Sequence, residues 1–399
     1  MRLHTVVLIS AMLLAVSCLP SAHAESCPGV DRAVAAIAEA RAPLIAKPPH
    51  DMDTDISAET GRGIEREKDA IAALIDAQIQ CAAEGSAPKS IERALANAVR
   101  KLPGQCSKDC DKPDNEIAYT YAGPPTFAVK SWPALPERIG VIAILPIMCG
   151  NDAMLIVYER DGASWRRRIR WRSAPYKTVN GALWSFDYAL SPRDEHGGWF
   201  ALTKSIAPWC SSTWSSIDYA VLRPADDGAK VLLEGEDFMW WGGEDYGSLV
   251  ANANDLDVRF HGASMDSGVH NRAWIRHYTI DGNLVRRVQP VALNARDFSD
   301  EWIQSKWTQA SQWSDAKAAG LQRWHERLRG KGVAFYEFES LRACTGRDRA
   351  VEVAISSTDD DTSYFLRVAG AGPFTLRAVT TKPSEDCRGK DELESMQEQ

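Results

Sequence analysis

The sequence lacks an apolar run long enough to cross a membrane. The longest run, Val6 to Val16, is far shorter than the roughly 20 residues that a spanning helix needs. The local motifs of several enzyme classes are missing as well. There is no Gly-x-Ser-x-Gly elbow, no zinc-binding His-Glu-x-x-His and no phosphate-binding glycine loop. The sequence therefore predicts no transmembrane span and offers no local evidence for an enzyme.

Basic residues are fewer than acidic residues. The chain has 46 Lys and Arg against 54 Asp and Glu, a formal net charge of −8. Nucleic acids and anionic lipids are bound by basic faces, so this charge predicts no nucleic-acid partner. An acidic surface suits a cationic partner or a polar neutral ligand equally well.

The first 24 residues have the pattern of an export signal. Arg2 supplies the positive start, Val6 to Val16 the apolar run, and Ala22-His23-Ala24 the cleavage site. In a second interpretation, Leu14 to Cys18 is a lipobox, and Cys18 becomes a lipid anchor. We expect a periplasmic or extracellular protein, and the alternative is a lipid-anchored envelope protein.

Eight of the nine cysteines remain to pair, because Cys18 is either removed or lipidated. An oxidising compartment favours structural disulfides, and no Cys/His set has the spacing of a zinc site. We expect no metal and no cofactor. Four pairs are predicted from the positions of the cysteines: Cys27–Cys81, Cys106–Cys110, Cys149–Cys210 and Cys344–Cys387.

Asp51 to Asp55 imitates the start of a calcium loop. The loop would need glycine where Ile56 stands and a bidentate glutamate where Arg62 stands. We therefore interpret this segment as an acidic loop.

Changes in periodicity divide the chain. A period of 3.6 residues marks an Ala-rich helical region, and a period of two begins at Arg138. All 14 tryptophans lie at or beyond Trp132. The predicted units are a signal peptide (1–24), a small helical unit (25–104), a Pro-rich linker containing Cys106 and Cys110 (105–137), a Trp-rich antiparallel β region (138–297), a helical segment (298–331), a C-terminal β segment (332–383) and an acidic polar tail (384–399).

The fold class predicted is mainly β with helical additions and an N-terminal α-helical unit. Asp-Gly dipeptides between alternating runs indicate repeated β-hairpins. They recur at intervals close to the length of a propeller blade, which favours degenerate β-propeller-like antiparallel sheets. A β-sandwich is the alternative. The dipeptides are Asp161-Gly162, Asp227-Gly228 and Asp281-Gly282.

The best candidate surface is an acidic, aromatic stretch beginning at Glu236. Adjacent tryptophans in a glycine-bearing loop cannot both enter one core, so at least one ring is expected at the surface or over a neighbouring element. An exposed ring can stack on the apolar face of a sugar while carboxylates accept hydrogen bonds from its hydroxyl groups; tryptophan also anchors protein interfaces. Both rings packing between sheets is the structural alternative. The candidate binding residues are Trp240, Trp241, Asp237, Glu244, Asp245 and Tyr246, together with Trp209 and Trp214 around Cys210.

A second candidate is a basic strand. Regular alternation would place Arg166, Arg168, Arg170 and Arg172 on one face, opposite Trp165, Ile169 and Trp171. Such a stripe could hold a polyanion such as an envelope glycolipid. Alternatively, it is a solvated face crossed by acidic neighbours.

Together these features predict an exported, disulfide-stabilised, non-catalytic binding protein of the cell envelope, whose ligand is a glycan or an envelope protein. Two alternatives remain open. One is a secreted hydrolase whose carboxylates are brought together only by the fold. The other is an inhibitor or immunity protein that blocks a cationic toxin.

Overall fold

The computed structural model of the protein describes residues 27, 29–46, 57–82, 86–100, 102, 124–147, 150–173, 183, 185–207, 214–225, 228–240, 247–269, 271–288, 292–318, 320–330, 335–346, 348–359 and 362–393. Three helices come first in the chain, and twelve strands follow. Three further helices and four final strands complete the described part.

The helices are α1 (Val30–Ala46), α2 (Ala58–Cys81), α3 (Pro88–Val99), α4 (Ala295–Gln304), α5 (Trp307–Ala310), which runs into a 3-10 turn (Ser311–Trp313), and α6 (Leu321–Arg329). Sheet A contains β1 (Thr126–Trp132), β2 (Leu135–Ile147), β3 (Gly150–Asp161) and β4 (Ser164–Arg172). Sheet B contains β5 (Ser185–Leu190), β6 (Ala201–Ile206), β7 (Trp214–Ala225), β8 (Gly228–Trp240), β9 (Ser248–Ala251), β10 (Asp255–Ala263), β11 (Asn271–Asp281) and β12 (Leu284–Arg287). Sheet C contains β13 (Tyr336–Ala343), β14 (Val351–Ser357), β15 (Ser363–Ala369) and β16 (Thr375–Thr380).

The N-terminal helices cover one face of sheet A. Their apolar stripes, which include Ile37, Ile71 and Leu95, share a core with Val141 and Ile156 of the sheet. The side chain of Ser57 caps α2 by accepting a hydrogen bond from the Thr60 amide (3.1 Å). This arrangement confirms the predicted N-terminal helical unit.

Sheet B is folded upon itself. Strands β5 to β8 and strands β9 to β12 form two halves, and the one pairing between β8 and β10 joins Met239 to Gly262. One face of β5–β8 packs on sheet A through residues such as Leu222, and the other packs on β9–β12 through residues such as Val221 and Val258. The two halves of sheet B are therefore successive layers of a sandwich.

Sheet C and helices α4 to α6 form the last layers around a separate core. Trp302 of α4 is fully buried there, beside Trp313 and strand residues such as Val353 and Leu366. Asn294 caps α4 by accepting a hydrogen bond from the Asp297 amide (2.9 Å). The polar side of α4 contacts β11, where the candidate site lies.

The fold is mainly β with three antiparallel sheets, as the alternation predicted. The described strands stack in sandwich-like layers and form no closed propeller. Hairpins spaced like propeller blades therefore do not lead to a ring of blades here. None of the described helices combines the length and apolar character needed to cross a membrane.

Two disulfides tie chain segments to these layers. Cys27–Cys81 joins the start of α1 to the end of α2, and Cys344–Cys387 joins the end of β13 to the acidic tail. These are two of the four expected pairs. The pairs Cys106–Cys110 and Cys149–Cys210 lie outside the described residues, as does the acidic loop Asp51 to Asp55.

Three local features differ from the sequence-based expectations. Helix α1 contains Pro43 instead of ending there. Strand β1 occupies part of the stretch interpreted as a linker. In the β3–β4 hairpin, Asp161 pairs with Ser164, so Gly162 and Ala163 form the turn and the positive φ (61°) falls on Gly162. The turn residues are therefore Gly-Ala and not the Asp-Gly dipeptide, and the only positive φ of this turn is at its first central residue.

Candidate functional site

An aromatic face lies at one end of the β7–β8 pair. We define it by Trp214, Phe238 and Trp240, whose side chains share one side of the sheet because alternate residues of a strand point the same way. Trp214 pairs directly with Trp240, and Ser216 pairs with Phe238. The rings of Trp214 and Phe238 are nearly parallel, with an interplanar angle of 8° and centroids 5.8 Å apart. The result is a stacked pair of rings, with Trp240 directly opposite Trp214, on a regular strand pair.

The aromatic face is open to solvent because the packing of sheet A ends before it. Ala220 and Leu222, further along the same side of β7, lie in the core shared with sheet A. The two tryptophans are half-buried, whereas Phe238 is 59 % exposed. Phe238 therefore presents an apolar ring to solvent beside the stacked Trp214.

A pair of carboxylates adjoins the aromatic face. Asp218 faces Glu236 directly across the strands, one step beyond the Ser216–Phe238 pair. Partial burial, and then the charge of Glu236, raise the pKa of Asp218 above its usual value. Two residues along a strand span roughly 7 Å, so a sugar ring on Phe238 would have these carboxylates within reach of its hydroxyl groups.

On the other side of β8, Asp237 belongs to a network of buried charges. Its carboxylate receives two hydrogen bonds from Arg276 of β11, at 2.5 and 2.9 Å, and one from the Tyr219 hydroxyl at 3.1 Å. Arg276 also donates to Glu301 of α4 (2.6 Å), and Arg287 forms an ion pair with the same Glu301 oxygen. The network joins sheet B to the last helical layer.

The network sets the protonation of its members. Burial alone would lower the pKa of Arg276, but the hydrogen bonds and charge of Asp237, together with Glu301, outweigh it and raise that pKa. Burial and the adjacent Asp237 raise the pKa of Tyr219, so its hydroxyl remains a donor. Tyr219 and Tyr278 are within hydrogen-bond distance (2.9 Å).

A polar cleft of about 380 Å³ opens over this network, between sheet B and helices α4 to α6. We call it the charged cleft. It is lined by Tyr219, Glu236, Asp237, Trp274, Arg276, Tyr278, Arg287, Gln304, Ser305, Lys306, Gln309 and Arg329. Its volume lies near the lower end of the range for small-ligand sites, roughly 300 to 1,000 Å³.

The structure brings together only part of the predicted binding set. Trp214 and Trp240 meet across the strands, but Asp237 does not join them, because neighbouring residues of β8 point to opposite sides. The remaining candidates, Trp209, Trp241, Glu244, Asp245 and Tyr246, lie outside the described residues.

The predicted list of binding residues omitted three side chains of this surface. Phe238 and Glu236 lie in the predicted stretch, whereas Asp218 lies outside it. Two of the three could have been found from the alternation of side chains along a strand. Once residues 228–240 are recognised as a strand, Glu236 and Phe238 must share a side with Trp240. The charged cleft had no local signal, because its residues come from distant parts of the chain.

The predicted basic strand is interrupted by a β-bulge. The register between β3 and β4 shifts so that Val157 pairs with Ile169 while Tyr158 pairs with Arg167. Trp165 consequently lies in the core shared with the helices, whereas Ile169 and Trp171 pack on sheet B. The four arginines therefore do not form one regular stripe.

Three of the four candidate arginines pair with acidic residues. Arg170 and Arg172 form ion pairs with Asp69 of α2, at 2.6 and 3.0 Å. Arg168 pairs with Glu159 at 3.4 Å. This arrangement fits the solvated interpretation better than a polyanion site, although the acidic neighbour of Arg170 and Arg172 is a helix and not a strand.

Within the described ranges, no group of three or more His, Cys, Asp or Glu side chains is placed to hold a metal ion. Comparison with protein-family models, with curated proteins and with solved structures gives no match.

Proposed function

We propose that the protein is an exported, disulfide-stabilised, non-catalytic binding protein of the cell envelope, and that its aromatic face takes a neutral glycan. One observation carries the proposal: the exposed ring of Phe238 is stacked with Trp214 beside the Asp218–Glu236 pair. The C–H groups on the apolar face of a sugar are attracted to the electron-rich face of an aromatic ring. The adjoining carboxylates accept hydrogen bonds from its hydroxyl groups.

A glycan fits this surface better than a protein partner. The groups around the rings are a serine hydroxyl and two carboxylates, which match a ligand rich in hydroxyl groups. A protein interface of standard size would bury about 800 Å² on each partner, usually around an apolar centre. Within the described residues, the aromatic face consists of three rings.

Export is supported by the pattern of the first 24 residues and by the cysteine pairs Cys27–Cys81 and Cys344–Cys387. Both point to an oxidising compartment, where envelope glycans are accessible. A soluble form and a form anchored at Cys18 would present the same aromatic face.

Affinity capture from a cell-envelope extract tests the proposal. The purified protein is compared with the double variant Phe238→Ala/Trp240→Ala and with Phe335→Ala, which removes an exposed phenylalanine (50 % exposed) elsewhere. We expect wild type and Phe335→Ala to retain a glycan that the double variant loses. Capture of a protein instead, or equal capture of the glycan by all three, would refute the proposal.

One specific observation supports the hydrolase alternative. Asp218 has a raised pKa and faces Glu236, and glycoside cleavage uses one protonated and one ionised carboxyl group. Turnover of chromogenic glycosides distinguishes the two functions. Hydrolysis that is lost in Asp218→Asn and kept in Asp69→Asn would favour an enzyme, whereas the proposed binding protein shows no turnover.

A further inference from the structure

The charged cleft contains cations that the network below it does not neutralise. Lys306 and Arg329 are exposed where they line the cleft, and neither forms an ion pair with another described residue. The nearby carboxylates of Asp237 and Glu301 are already bound by Arg276 and, for Glu301, also by Arg287. Positive charge is therefore in excess on the helical side, in a chain whose net charge is −8.

Arg287 adds a buried donor to the same lining. One of its terminal nitrogens binds Glu301, and its guanidinium group lies over the Trp313 ring, 5.4 Å from the centroid. Its Nε is buried and has no hydrogen-bond partner in the described part of the chain. A buried N–H without an acceptor costs free energy, which an acceptor oxygen would recover.

The floor of the cleft offers further polar groups in fixed positions. The Tyr219 and Tyr278 hydroxyls lie there, and Arg276 is held over the Trp274 ring, 4.4 Å from its centroid. The carboxylate of Asp237 lies on the strand side of the cleft. A ligand with an acidic group at one end and hydroxyl groups at the other would match this separation of charge.

We infer that the charged cleft binds a small acidic ligand of about monosaccharide size, with a carboxylate or phosphate directed toward Lys306, Arg329 and Arg287. The cleft volume of about 380 Å³ sets this size. The inference does not depend on the aromatic face, since the aromatic rings lie on the opposite side of β8 from Asp237.

Calorimetric titration of the full-length protein tests the inference with three hexose probes. Glucuronate carries a carboxylate, glucose 6-phosphate carries a phosphate, and glucose is the neutral reference. At low ionic strength we expect at least one acidic probe to bind about tenfold more tightly than glucose. The tighter of the two acids identifies the favoured oxyanion.

Variants test the location of this binding. Lys306→Gln/Arg329→Gln is expected to weaken binding of the acidic probe by about tenfold or more. Arg323→Gln is the matched control, because Arg323 is an exposed arginine of α6 that does not line the cleft. It should leave the dissociation constant unchanged.

Several results would overturn the inference: equal affinity for glucose and the acids, no binding of either acid at about 10 mM, or an unchanged dissociation constant in the double variant. The wild type and Phe238→Ala together separate the two proposals. A wild type that binds an acidic probe and captures no neutral glycan upholds the cleft and refutes the aromatic face, and the reverse result upholds the aromatic face alone. If the wild type binds both ligands, Phe238→Ala should lose the neutral glycan and keep the acidic probe.

Discussion

At the scale of single residues, buried charges distinguish this protein from a simple apolar sandwich. Lys68 and Asp152 are both fully buried and form an ion pair of 2.9 Å between α2 and β3. Lys68 also donates to the carbonyl of Ser173 (3.1 Å). Since a buried charge without its partner is costly, these residues hold the helical unit in one position on sheet A.

Removal of one partner from this pair should therefore be severe. Asp152→Ala removes the fully buried partner of Lys68 and leaves only the half-buried Glu65, which lies 3.1 Å from the Lys68 ammonium group. We expect a loss of about 3 kcal/mol in the free energy of unfolding, the lower end of the range for a broken buried pair. Asp69→Ala is the matched control, because the side chain of Asp69 is 58 % exposed and its ion pairs contribute about 1 kcal/mol or less. Urea denaturation compares the two. Equal losses would contradict the assigned role of the buried pair.

Glu67 should give the protein a pH-dependent stability. Burial raises its pKa from 4.5 to about 7, although Arg41 beside it acts in the opposite direction. Between these values the folded state binds more protons than the unfolded state, so the contribution of Glu67 to stability falls as pH rises.

Glu67→Gln removes this titration. Relative to the variant, the wild type should lose about 2 to 3 kcal/mol between pH 5 and pH 7.5. Urea denaturation at the two pH values measures the free energy of unfolding of both proteins. Subtracting the variant from the wild type removes the contribution of groups that titrate equally in both. Parallel stability curves would show that Glu67 ionises normally.

At the scale of elements, two hairpins repeat one local design. In β3–β4 and in β11–β12, a tyrosine four residues before the turn glycine pairs directly with an arginine: Tyr158 with Arg167, and Tyr278 with Arg287. The turn glycines, Gly162 and Gly282, have φ values of 61° and 56°. The recurring sequence pattern therefore predicted both hairpins.

Alanine substitutions at two glycines test the turn. A Cβ at Gly162 meets no atom within 4 Å, so Gly162→Ala should lose about 1 to 2 kcal/mol through backbone strain alone. Gly61→Ala, in α2 and equally free of contacts, should gain about 0.5 to 1 kcal/mol. Thermal unfolding of the two variants measures the loss of stability in one and the gain in the other. A neutral Gly162→Ala would show that the turn tolerates a side chain.

Two features of these elements could not be predicted from the sequence: the bulge in β4 and the point where the packing of sheet A ends. Alternation identified the strand of Arg166 to Arg172 but could not reveal the bulge that reverses Trp165, because the bulge depends on the register with β3. Likewise, Phe238 and Trp240 share a side once β8 is known. That the packing of sheet A ends before Phe238 depends on how the layers stack.

At the scale of the whole molecule, buried ion pairs join successive layers, and the two disulfides link chain segments within the first and the last layer. Helical periodicity predicted the N-terminal unit, and the positions of Cys27 and Cys81 predicted their pairing across an antiparallel hairpin. The contact of Arg276 with Glu301 had no such signal, since a long-range pair leaves no periodic trace in the sequence. For this reason the charged cleft could not be foreseen.

Loss of the first disulfide should weaken the whole N-terminal unit. Cys27 and Cys81 are 54 residues apart, and a loop of this length corresponds to about 3 to 4 kcal/mol of stabilisation. We expect Cys27→Ser/Cys81→Ser to lower the unfolding temperature, and wild type in reducing agent to show a loss at least as large. Unchanged melting in the double variant would contradict this account.

Binding of a neutral glycan at the aromatic face is tested by the dissociation constant of the captured glycan. Calorimetry on wild type, Phe238→Ala and Phe335→Ala compares two exposed phenylalanines of similar accessibility, 59 % and 50 %. We expect affinity at least about tenfold weaker for Phe238→Ala and unchanged for Phe335→Ala. Equal affinity in all three proteins would contradict this expectation.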